Sequence, residues 1–392
     1  MKKILIYLCI IFAFVVSCRK DELINPNNCS YSNNLEQFVT VWEGLNSAYP
    51  LWQYDTTDWD RIYEKYYHLF KDERISDSVW KSYWIELTSS LLDHHTQIVL
   101  KRPTSSAYVI LSPGLNEVRS RPYYHTNVVS INRYNMILGY KSDNRLTDDT
   151  VSMDGSTMNA CAGLLDGDIA YLSLPKFNIR DQISKNAAEA FRYFKFMVGN
   201  KETVRAAIVD LRGNGGGNVF DIHEFISCFT DKPVLFGYIQ KKVGLGRHDL
   251  GPKIPSRAYP DNGNKTDIPI IILVDVNSAS MSEIAALAVK QLPSGYVVGE
   301  RTYGGFSPLV ENNFEYGFAG GFGRESILSA VLDGGHYVYM PFSCFTTVDG
   351  KCPEGIGVIP DRECLFDSLA WSQGIDNQLE EAIIFARSKM AK

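Results

Sequence analysis

The sequence predicts an α/β protein whose later part forms a largely parallel sheet flanked by helices. Short strands alternate with helix-like runs there, and the strands AAIVDL and IIILVD are almost wholly apolar. Apolar residues on both faces are typical of strands in a parallel sheet that helices cover on both sides. Glycine-rich and serine-rich turns directly follow these two strands. Such turns leave backbone N–H groups free beside the strand ends.

The predicted elements of this later part follow one another in a regular order. They are the strand IAYLSL, the helix NAAEAFRYFKFMV, the strand AAIVDL, the helix VFDIHEFISCF, the strand IIILVD, the helix SEIAALAVKQL and the strand YVVGE. Residues 245–267 are rich in Gly, Pro and Asn and predict a long surface loop. Residues 376–389 predict an amphipathic helix at the end of the chain.

The first part of the chain has a different pattern. Residues 33–92 are helical in periodicity, with a second helix expected to start near Ser76 or Asp77 and to end around Asp93. Residues 97–167 are irregular and β-like. We therefore divide the chain into six segments: 1–17 signal peptide, 18–32 tether, 33–96 helical segment, 97–167 β-rich intermediate region, 168–365 core, and 366–392 C-terminal helix.

The N-terminus has the pattern of an export signal. Lys2 and Lys3 precede an apolar run over residues 4–16, which is too short for an ordinary membrane span but typical of a signal peptide. The run ends in VVSC, which resembles the lipobox of bacterial lipoproteins and makes Cys18 the expected lipid anchor. The alternative is a plain secretory signal in which Cys18 is incidental.

Composition excludes some functions and leaves others open. The chain has 392 residues, 45% hydrophobic content and a net charge of −6, without a dense Lys/Arg stripe, so nucleic acid is not an expected partner. Six of the eight cysteines remain after Cys9 and Cys18, which permits disulfides in an exported protein. Cys344 and Cys352 could close a short hairpin, but pairing is open. No C-x-x-C or His-rich pattern indicates a metal.

Two turns concentrate the polar chemistry. In VDLRGNGGGN, at 209–218, four glycines in five residues follow a buried strand, so the backbone there adopts positive φ or approaches another group closely. Such a turn either aims N–H groups at a developing oxyanion or serves as a tight packing turn. In VDVNSASMSEI, at 274–284, three serines lie at a strand-to-helix junction. Locally they are equally well helix caps or nucleophile candidates.

Together, DLRGNGGG, NSASMSE and VVGERTYGG resemble the signature blocks of the C-terminal processing and tricorn-type serine peptidases. The resemblance covers about residues 168–362 and a patch at 91–96. It implies a crotonase/ClpP-like core of ββα units. It also implies the following residues: Ser280 as nucleophile, Ser278, Ser282 and Glu283 as supporting residues, and the backbone N–H groups of Met281 and of Gly215 or Gly216 as oxyanion donors.

The base that activates the serine differs between branches of this family. One branch has a lysine shortly after the GE.T.G block, where this chain has Gly304, Gly305, Phe306 and Ser307. The tricorn-like branch uses a histidine, and LLDHHTQ at 91–97 resembles its L-x-D-x-H-[ST] patch, which implies His95 as general base. Without the resemblance, His94 and His95 are equally explained as capping or surface residues.

The resemblance also implies a third catalytic member. PEGIGVIPD at 353–361 is similar to the E-G-x-G-V-x-P-D block of the tricorn-like branch, which implies Glu354 as the residue that orients the histidine. The same stretch is also explained as a turn before an edge strand. The implied reaction is hydrolysis of a peptide or protein substrate through an acyl-enzyme, with no metal or organic cofactor.

Two alternative functions are known for proteins that resemble this fold. Carrier proteins of the interphotoreceptor retinoid-binding type resemble the family and bind hydrophobic ligands without catalysis. A crotonase-type acyl-CoA enzyme is disfavoured by export. An intact PDZ domain is not expected in residues 97–167, so selection of substrate C-termini by that route is not expected either. The predicted location is the outer membrane, on its periplasmic or surface face, with oligomeric state open.

The lipid anchor gives a first testable prediction. Cys18→Ser removes the only thiol that the lipobox resemblance identifies for acylation, so the protein is expected to leave the membrane fraction for the soluble fraction. Fractionation followed by immunoblotting measures this change. Unchanged partitioning would show that Cys18 does not anchor the protein.

Overall fold

We describe the fold from a computed structural model of the chain. It describes residues 31–126, 147–153, 156–200, 202–307 and 337–390. The predicted signal peptide, Cys18 and nearly all of the predicted tether lie outside these ranges, as does part of the β-rich region. Among the described residues, no helix combines the length and apolar character needed to cross a bilayer.

The helices and strands follow the predicted order. The helices are α1 Asn34–Ala48, α2 Trp59–Phe70, α3 Asp77–Thr88, α4 Pro113–Ser120, α5 Ile179–Ser184, α6 Glu189–Gly199, α7 Asp221–Ser227, α8 Met281–Lys290, α9 Ser368–Ser372 and α10 Asn377–Met390. The strands are β1 Gln97–Lys101, β2 Tyr108–Leu111, β3 Thr147–Met153, β4 Ser156–Leu165, β5 Ile169–Ser173, β6 Ala206–Asp210, β7 Val234–Lys241, β8 Ile254–Ala258, β9 Ile270–Val274, β10 Gly295–Gly299, β11 Tyr337–Tyr339, β12 Ser343–Thr347 and β13 Arg362–Glu363.

A seven-stranded sheet forms the centre, in the order β13-β10-β9-β6-β5-β4-β3. Within this sheet the strands β5, β6, β9, β10 and β13 pair in parallel. Strands β4 and β3 extend the sheet beyond β5 and pair antiparallel. In register, Ile272 of β9 lies between Val209 of β6 and Val297 of β10. Every residue of β5, β6 and β9 is buried. The predicted α/β class with a largely parallel core is confirmed.

Helices bury both faces of this sheet. Val209 and Ile272 belong to the core that includes Phe194 of α6, Phe225 of α7 and Val289 of α8. Their neighbours Ile208 and Leu273 point the other way and belong to a second core with Leu379, Ala382 and Ala386 of α10. Because side chains alternate across a strand, wholly apolar strands supply both cores at once.

The order of the strands places three turns side by side. Strands β6, β9 and β10 are neighbours and parallel, so the turns that follow them meet at one edge of the sheet. These turns are the glycine-rich turn, the serine-rich turn and the segment that begins with Glu300. The sheet therefore brings together the three blocks of sequence that the family resemblance rests on.

The helical segment packs as a separate aromatic layer. Phe38, Phe70 and Trp84 from α1, α2 and α3 lie with ring centroids 5.0–6.2 Å apart. Helix α3 begins as predicted, with Ser76 accepting from the N–H of Val79, but it ends at Thr88 rather than around Asp93. Residues 91–96 consequently form a turn. His94 and His95 therefore do not cap a helix.

The intermediate region does not form one module in the described residues. Strands β1 and β2 pair with each other and with β11 in a small sheet, whereas β3 and β4 join the central sheet. The expected loop at 245–267 also contains a strand, β8, which pairs with β7 at the edge of a third sheet. Pro255 obscured this strand in the sequence, because proline is tolerated mainly in edge strands.

The cysteines in the described ranges carry free thiols: Cys161, Cys228, Cys344, Cys352 and Cys364. The hairpin pairing of Cys344 with Cys352 that the sequence left open is therefore not formed here. Cys344 and Cys228 are buried, and burial raises the pKa of both thiols. Their role in this structure is packing.

Arg247, beyond β7, fastens the core to the helical segment. Its guanidinium makes two hydrogen bonds to Asp60, of 2.5 and 2.9 Å, and lies 5.8 Å and 5.5 Å from the ring centroids of Trp42 and Trp52. Asn46 accepts a further hydrogen bond from its Nε at 2.5 Å. A planar guanidinium suits this combination of a carboxylate and aromatic faces. The contact connects parts of the chain nearly 190 residues apart.

Replacing Arg247 with alanine removes the ion pair and both ring contacts. We expect the free energy of unfolding to fall by about 1–2 kcal/mol, since the side chain is only partly exposed. Urea denaturation measures the change. Arg74→Ala is the matched control, because Arg74 is almost fully exposed and pairs only with nearby Asp72. Equal effects of the two substitutions would contradict a fastening role for Arg247.

Candidate active site

Ser280 occupies the junction between β9 and α8 in an unusual backbone conformation. It precedes the first residue of α8 and has φ 55° and ψ −117°. A non-glycine residue with positive φ is strained, and such strain concentrates at functional sites. The residue is half-buried, at the N-terminus of a helix where the dipole favours negative charge.

Hydrogen bonds distinguish the three serines of this turn. Ser278 donates to the carbonyl of Leu211 at 2.8 Å, and Ser282 donates to the carbonyl of Asn214 at 2.8 Å. Both serines are fully buried and fasten the serine turn to the glycine turn. Ser280, between them, is the only one of the three with an exposed side.

The glycine turn lies directly against Ser280. Gly216 has φ 101°, and a Cβ atom on it would lie 2.7 Å from Cβ of Ser280 and 2.9 Å from the backbone N of Met281. Only glycine fits there. The N–H of Gly216 donates to the Asn214 side chain at 2.8 Å, whereas a Cβ on Gly215 would meet nothing within 4 Å. Of the two alternatives, Gly216 thus has its N–H engaged, and Gly215 faces open space.

Glu283 joins the serine turn to the segment after β10. Its carboxylate accepts from the N–H of Ser280 at 3.0 Å and, on the same oxygen, from the N–H of Gly305 at 2.8 Å. The other oxygen accepts from Gly304 at 2.7 Å and from the Thr302 hydroxyl at 2.5 Å. Burial raises the pKa of Glu283 to about 7, against the lowering effect of these four donors.

The imidazole of His95 lies over Gly305. A Cβ atom on Gly305 would come within 3.0 Å of Cε1 and 3.3 Å of Nε2 of the ring. His95 thus lies against Gly305, and Gly305 and Ser280 both donate a backbone hydrogen bond to Glu283. Burial lowers the pKa of His95, while the charge of Asp93 opposes that shift. A neutral imidazole at neutral pH is the form able to accept a proton.

The His94 ring contacts Tyr303 and Glu117 and has a structural role. Its Nδ1 lies 2.8 Å from the carbonyl of Tyr303, and its Nε2 lies 3.6 Å from the Glu117 carboxylate. Arg121 donates to the same Tyr303 carbonyl at 3.0 Å and to Glu117 at 2.8 Å. The ring also packs against Gly114, where a Cβ would clash with it. His94 therefore anchors residues around 303 instead of facing the serine.

Glu354 is fully enclosed behind His95. Its carboxylate accepts from the N–H of Phe306 at 3.1 Å, from the N–H of Ser307 at 2.9 Å and from the Ser307 hydroxyl at 2.8 Å. Glu354 lies in a turn after β12, and Phe345 within β12 stacks on Phe306 with ring centroids 5.9 Å apart. Burial raises the pKa of Glu354 well above its usual range, and the charge of Asp93 adds to this.

Asp93, His95 and Glu354 form a compact group. One ligand-type atom from each lies within 4.8 Å of the others. Two carboxylates and an imidazole are donors that a divalent cation accepts, so these are the residues that could hold a metal. The same three residues are equally explained as an imidazole with two acids beside it.

Several residues of the site escaped sequence reasoning. Thr302 lies inside the VVGERTYGG block and donates to Glu283, and Asn214 lies inside the glycine turn and braces its backbone through Leu174. Asp93 was visible only as the aspartate of the LLDHHTQ patch. Their roles depend on buried hydrogen bonds between distant segments, for which one sequence carries no spacing signal.

The profile of Peptidase family S41 matches residues 168–364. The match includes the glycine turn, Ser280, the segment after β10 and Glu354, and it covers half of the chain. The chain belongs to this family of peptidases.

Curated relatives match over part of their length. A nisin-resistance protein of Lactococcus lactis subsp. lactis is 27% identical over 147 residues, which are 36% of this chain and 44% of the relative. The carboxy-terminal processing protease CtpB of Bacillus subtilis (strain 168) is 26% identical over 136 residues, 35% of this chain and 25% of the relative. The chain thus matches less than half the length of these relatives.

Solved structures are similar in fold over nearly the whole chain. One, from Parabacteroides merdae ATCC 43184 and assigned as a peptidase, has a TM-score of 0.66 at 19% identity and covers 91% of this chain and 97% of its own. Mature CPAF complexed with lactacystin has a TM-score of 0.54 at 13% identity, covering 90% and 97% respectively. At these identities the likeness establishes the α/β fold with its helical N-terminal part.

The contact between Gly305 and His95 gives a prediction. Gly305→Ala places a methyl group against the ring, so His95 must shift by a few tenths of an ångström. We expect peptidase activity to fall by about tenfold or more, because misplaced catalytic groups are costly. The free energy of unfolding should change by less than about 1 kcal/mol.

Gly251→Ala serves as the matched control. Its new methyl group would meet a methyl of Val243 at a similarly tight 3.1 Å, in the loop between β7 and β8. We expect that variant to keep its activity in the same assay with a peptide substrate. Full activity of Gly305→Ala would show that the ring does not need the space beside residue 305.

Proposed function

We propose that this chain is a serine endopeptidase in which Ser280 is the nucleophile, His95 the general base and Glu354 the acid behind it. The observation that carries the proposal is the shared carboxylate oxygen of Glu283. It accepts from Ser280 and from Gly305, and the His95 ring lies over Gly305. A base and a nucleophile from distant parts of the sequence thus belong to one cluster.

The proposed reaction has two halves. Ser280 Oγ attacks the peptide carbonyl carbon while its proton passes to His95, and the carbonyl oxygen becomes an oxyanion. The N–H of Met281, at the start of α8, and the N–H of Gly215 are the proposed donors to that oxygen. His95 then gives the proton to the leaving amine. Water, deprotonated by His95, attacks the acyl-enzyme, and His95 returns that proton to Ser280 Oγ as the acid leaves.

The backbone strain at Ser280 supports this residue as the functional member of the serine turn. A φ of 55° at a serine costs of order 1–3 kcal/mol, and strain of this kind concentrates at active sites and ligand clamps. Ser278 and Ser282 are both fixed by hydrogen bonds to the glycine turn, which supports Ser280 as the serine that reacts.

The proposed substrate is a peptide or protein, as expected from the family. A preference for substrate C-termini is not part of the proposal, because residues 97–167 are not expected to hold an intact PDZ domain. We further propose export and attachment to the outer membrane through lipid on Cys18. That location rests on the lipobox-like VVSC sequence.

A fluorophosphonate probe tests the proposal, because it reacts with a serine only when a base activates it. We expect the purified wild type to label and Ser280→Ala not to label. His95→Ala should label about 10²–10⁴-fold more slowly, the usual contribution of a general base. Circular dichroism confirms that each variant is folded.

Two outcomes would contradict the proposal. Absence of labelling in a folded wild-type protein would favour the carrier of hydrophobic ligands or peptides. Labelling that persists in Ser280→Ala would assign the nucleophile to another serine. Ser372→Ala, on the exposed helix α9, is the control for substitution of a remote serine.

A further inference from the structure

We propose that Val219, Phe220 and Tyr259 form an apolar surface that binds a bulky apolar side chain of the substrate, on the amino side of the scissile bond. The three side chains are 44%, 58% and 58% exposed. Grouped apolar side chains on a protein surface mark binding sites, whereas single ones are ordinary. The inference rests on the proposed function and deepens it, because it names the kind of residue that the site selects.

An exposed stretch of backbone connects Ser280 to the apolar surface. Gly216 lies against Ser280, while Gly215 and residues 217–220 are all exposed. Phe220 follows Gly216 by four residues and therefore lies at most about 14 Å from it. An extended peptide advances about 3.3 Å per residue. A substrate residue within four positions of the scissile bond consequently reaches the Phe220 ring.

Hydrogen bonds hold this stretch in place. The N–H of Phe177 donates to the carbonyl of Gly216 at 2.9 Å, and the N–H of Asn218 donates to the carbonyl of Phe177 at 3.0 Å. The Asn218 side chain accepts from the N–H of Phe220 at 3.0 Å. Helix α7 then buries Phe225 in the core. Phe220 is thus an exposed ring on a fixed backbone, which reduces the entropy that substrate binding costs.

His223 joins Phe220 to Tyr259. The N–H of His223 donates to the carbonyl of Phe220 at 3.4 Å, which places the two residues one helical turn apart. The imidazole lies 6.0 Å from the Tyr259 ring, and its Nδ1 accepts from the N–H of Tyr259 at 2.9 Å. An imidazole that accepts at Nδ1 carries no proton there, and burial lowers the pKa of His223. The ring between the two aromatic side chains is therefore uncharged, which suits an apolar ligand.

The order of the strands decides which side of the scissile bond lies over the apolar surface. Ser280 follows β9, which lies between β10 and β6. The segment after β10 lies under His95, and the glycine turn follows β6. In the proposed mechanism His95 protonates the leaving amine, so the amine side of the substrate lies toward β10. The acyl side consequently extends over the glycine turn, toward Phe220.

Mapping of cleavage sites tests the inference. Mass spectrometry of a proteome-derived peptide mixture, digested by the wild type, should show Leu, Ile, Phe, Met or Tyr enriched at one of the four positions before the scissile bond. Two synthetic peptides with Phe or Ala at that position then give a ratio of kcat/KM values. Phe220→Ala should lower this ratio by about tenfold, because the substrate ring loses its partner.

Two further variants sharpen the test. Phe220→Glu should replace the apolar preference by a preference for Lys or Arg at the same position, since a carboxylate there attracts a cation. Phe196→Ala is the matched control, because Phe196 is 68% exposed on α6. We expect that variant to keep the ratio of the wild type. Circular dichroism confirms that each variant is folded.

Several outcomes would overturn the inference. They are an apolar preference on the carboxyl side of the scissile bond, a preference that survives Phe220→Ala, and cleavage without preference by a wild type that reacts with a fluorophosphonate. If the wild type does not react with that probe, the proposed function fails, and binding of the same two peptides still tests the apolar surface. Fluorescence anisotropy with labelled peptides should then show preferential binding of the Phe peptide, weakened by Phe220→Ala. Equal affinities, or no binding, would contradict it.

Discussion

The geometry of the site depends on a single buried carboxylate, that of Glu283. It is fully enclosed and receives four hydrogen bonds, from Ser280, Thr302, Gly304 and Gly305. Removing a carboxylate from water costs several kcal/mol, which only well-placed donors offset. Those donors come from two separate turns. Satisfying one carboxylate therefore fixes the serine turn and the segment after β10 relative to each other.

Glu354 fixes the next two residues of this segment in the same way, through hydrogen bonds from their backbone N–H groups. The N–H groups of Gly304 and Gly305 point to Glu283, and the N–H groups of Phe306 and Ser307 point to Glu354. Four successive backbone donors of an irregular segment are thus satisfied by two buried acids. Backbone groups away from water need such partners, and this segment has no strand or helix to supply them. The two acids therefore determine the backbone conformation of residues 304–307 as well as the electrostatics of the site.

The sequence alone predicted those parts of the molecule that depend on local pattern. Apolar strands followed by helices predicted the parallel sheet and its two cores, since alternation and burial are properties of each strand. The three signature blocks resembled a family of serine peptidases, and the match to Peptidase family S41 confirms membership of that family. The catalytic assignments to Ser280, His95 and Glu354 stay predictions that the contacts support.

What the sequence could not predict depends on contacts between distant segments. Nothing in LLDHHTQ separates His94 from His95 until the ring of one is found against Tyr303 and the other over Gly305. Helix α3 ends at Thr88, before the predicted end around Asp93, and strand β8 forms because β7 offers it a partner. Such choices are decided by tertiary partners and not by local propensity.

In the proposed mechanism the catalytic group is divided over the chain, so its chemistry depends on the docking of the helical segment. Ser280 is fixed by the central sheet, whereas His95 and Asp93 belong to the turn after α3. Arg247 and the buried aromatic residues around Trp52 hold that layer against the core. Because elements can open locally at less cost than global unfolding, separation of this layer would remove the proposed base while the sheet and Ser280 stayed in place. A lysine base on the sheet itself would not have this dependence.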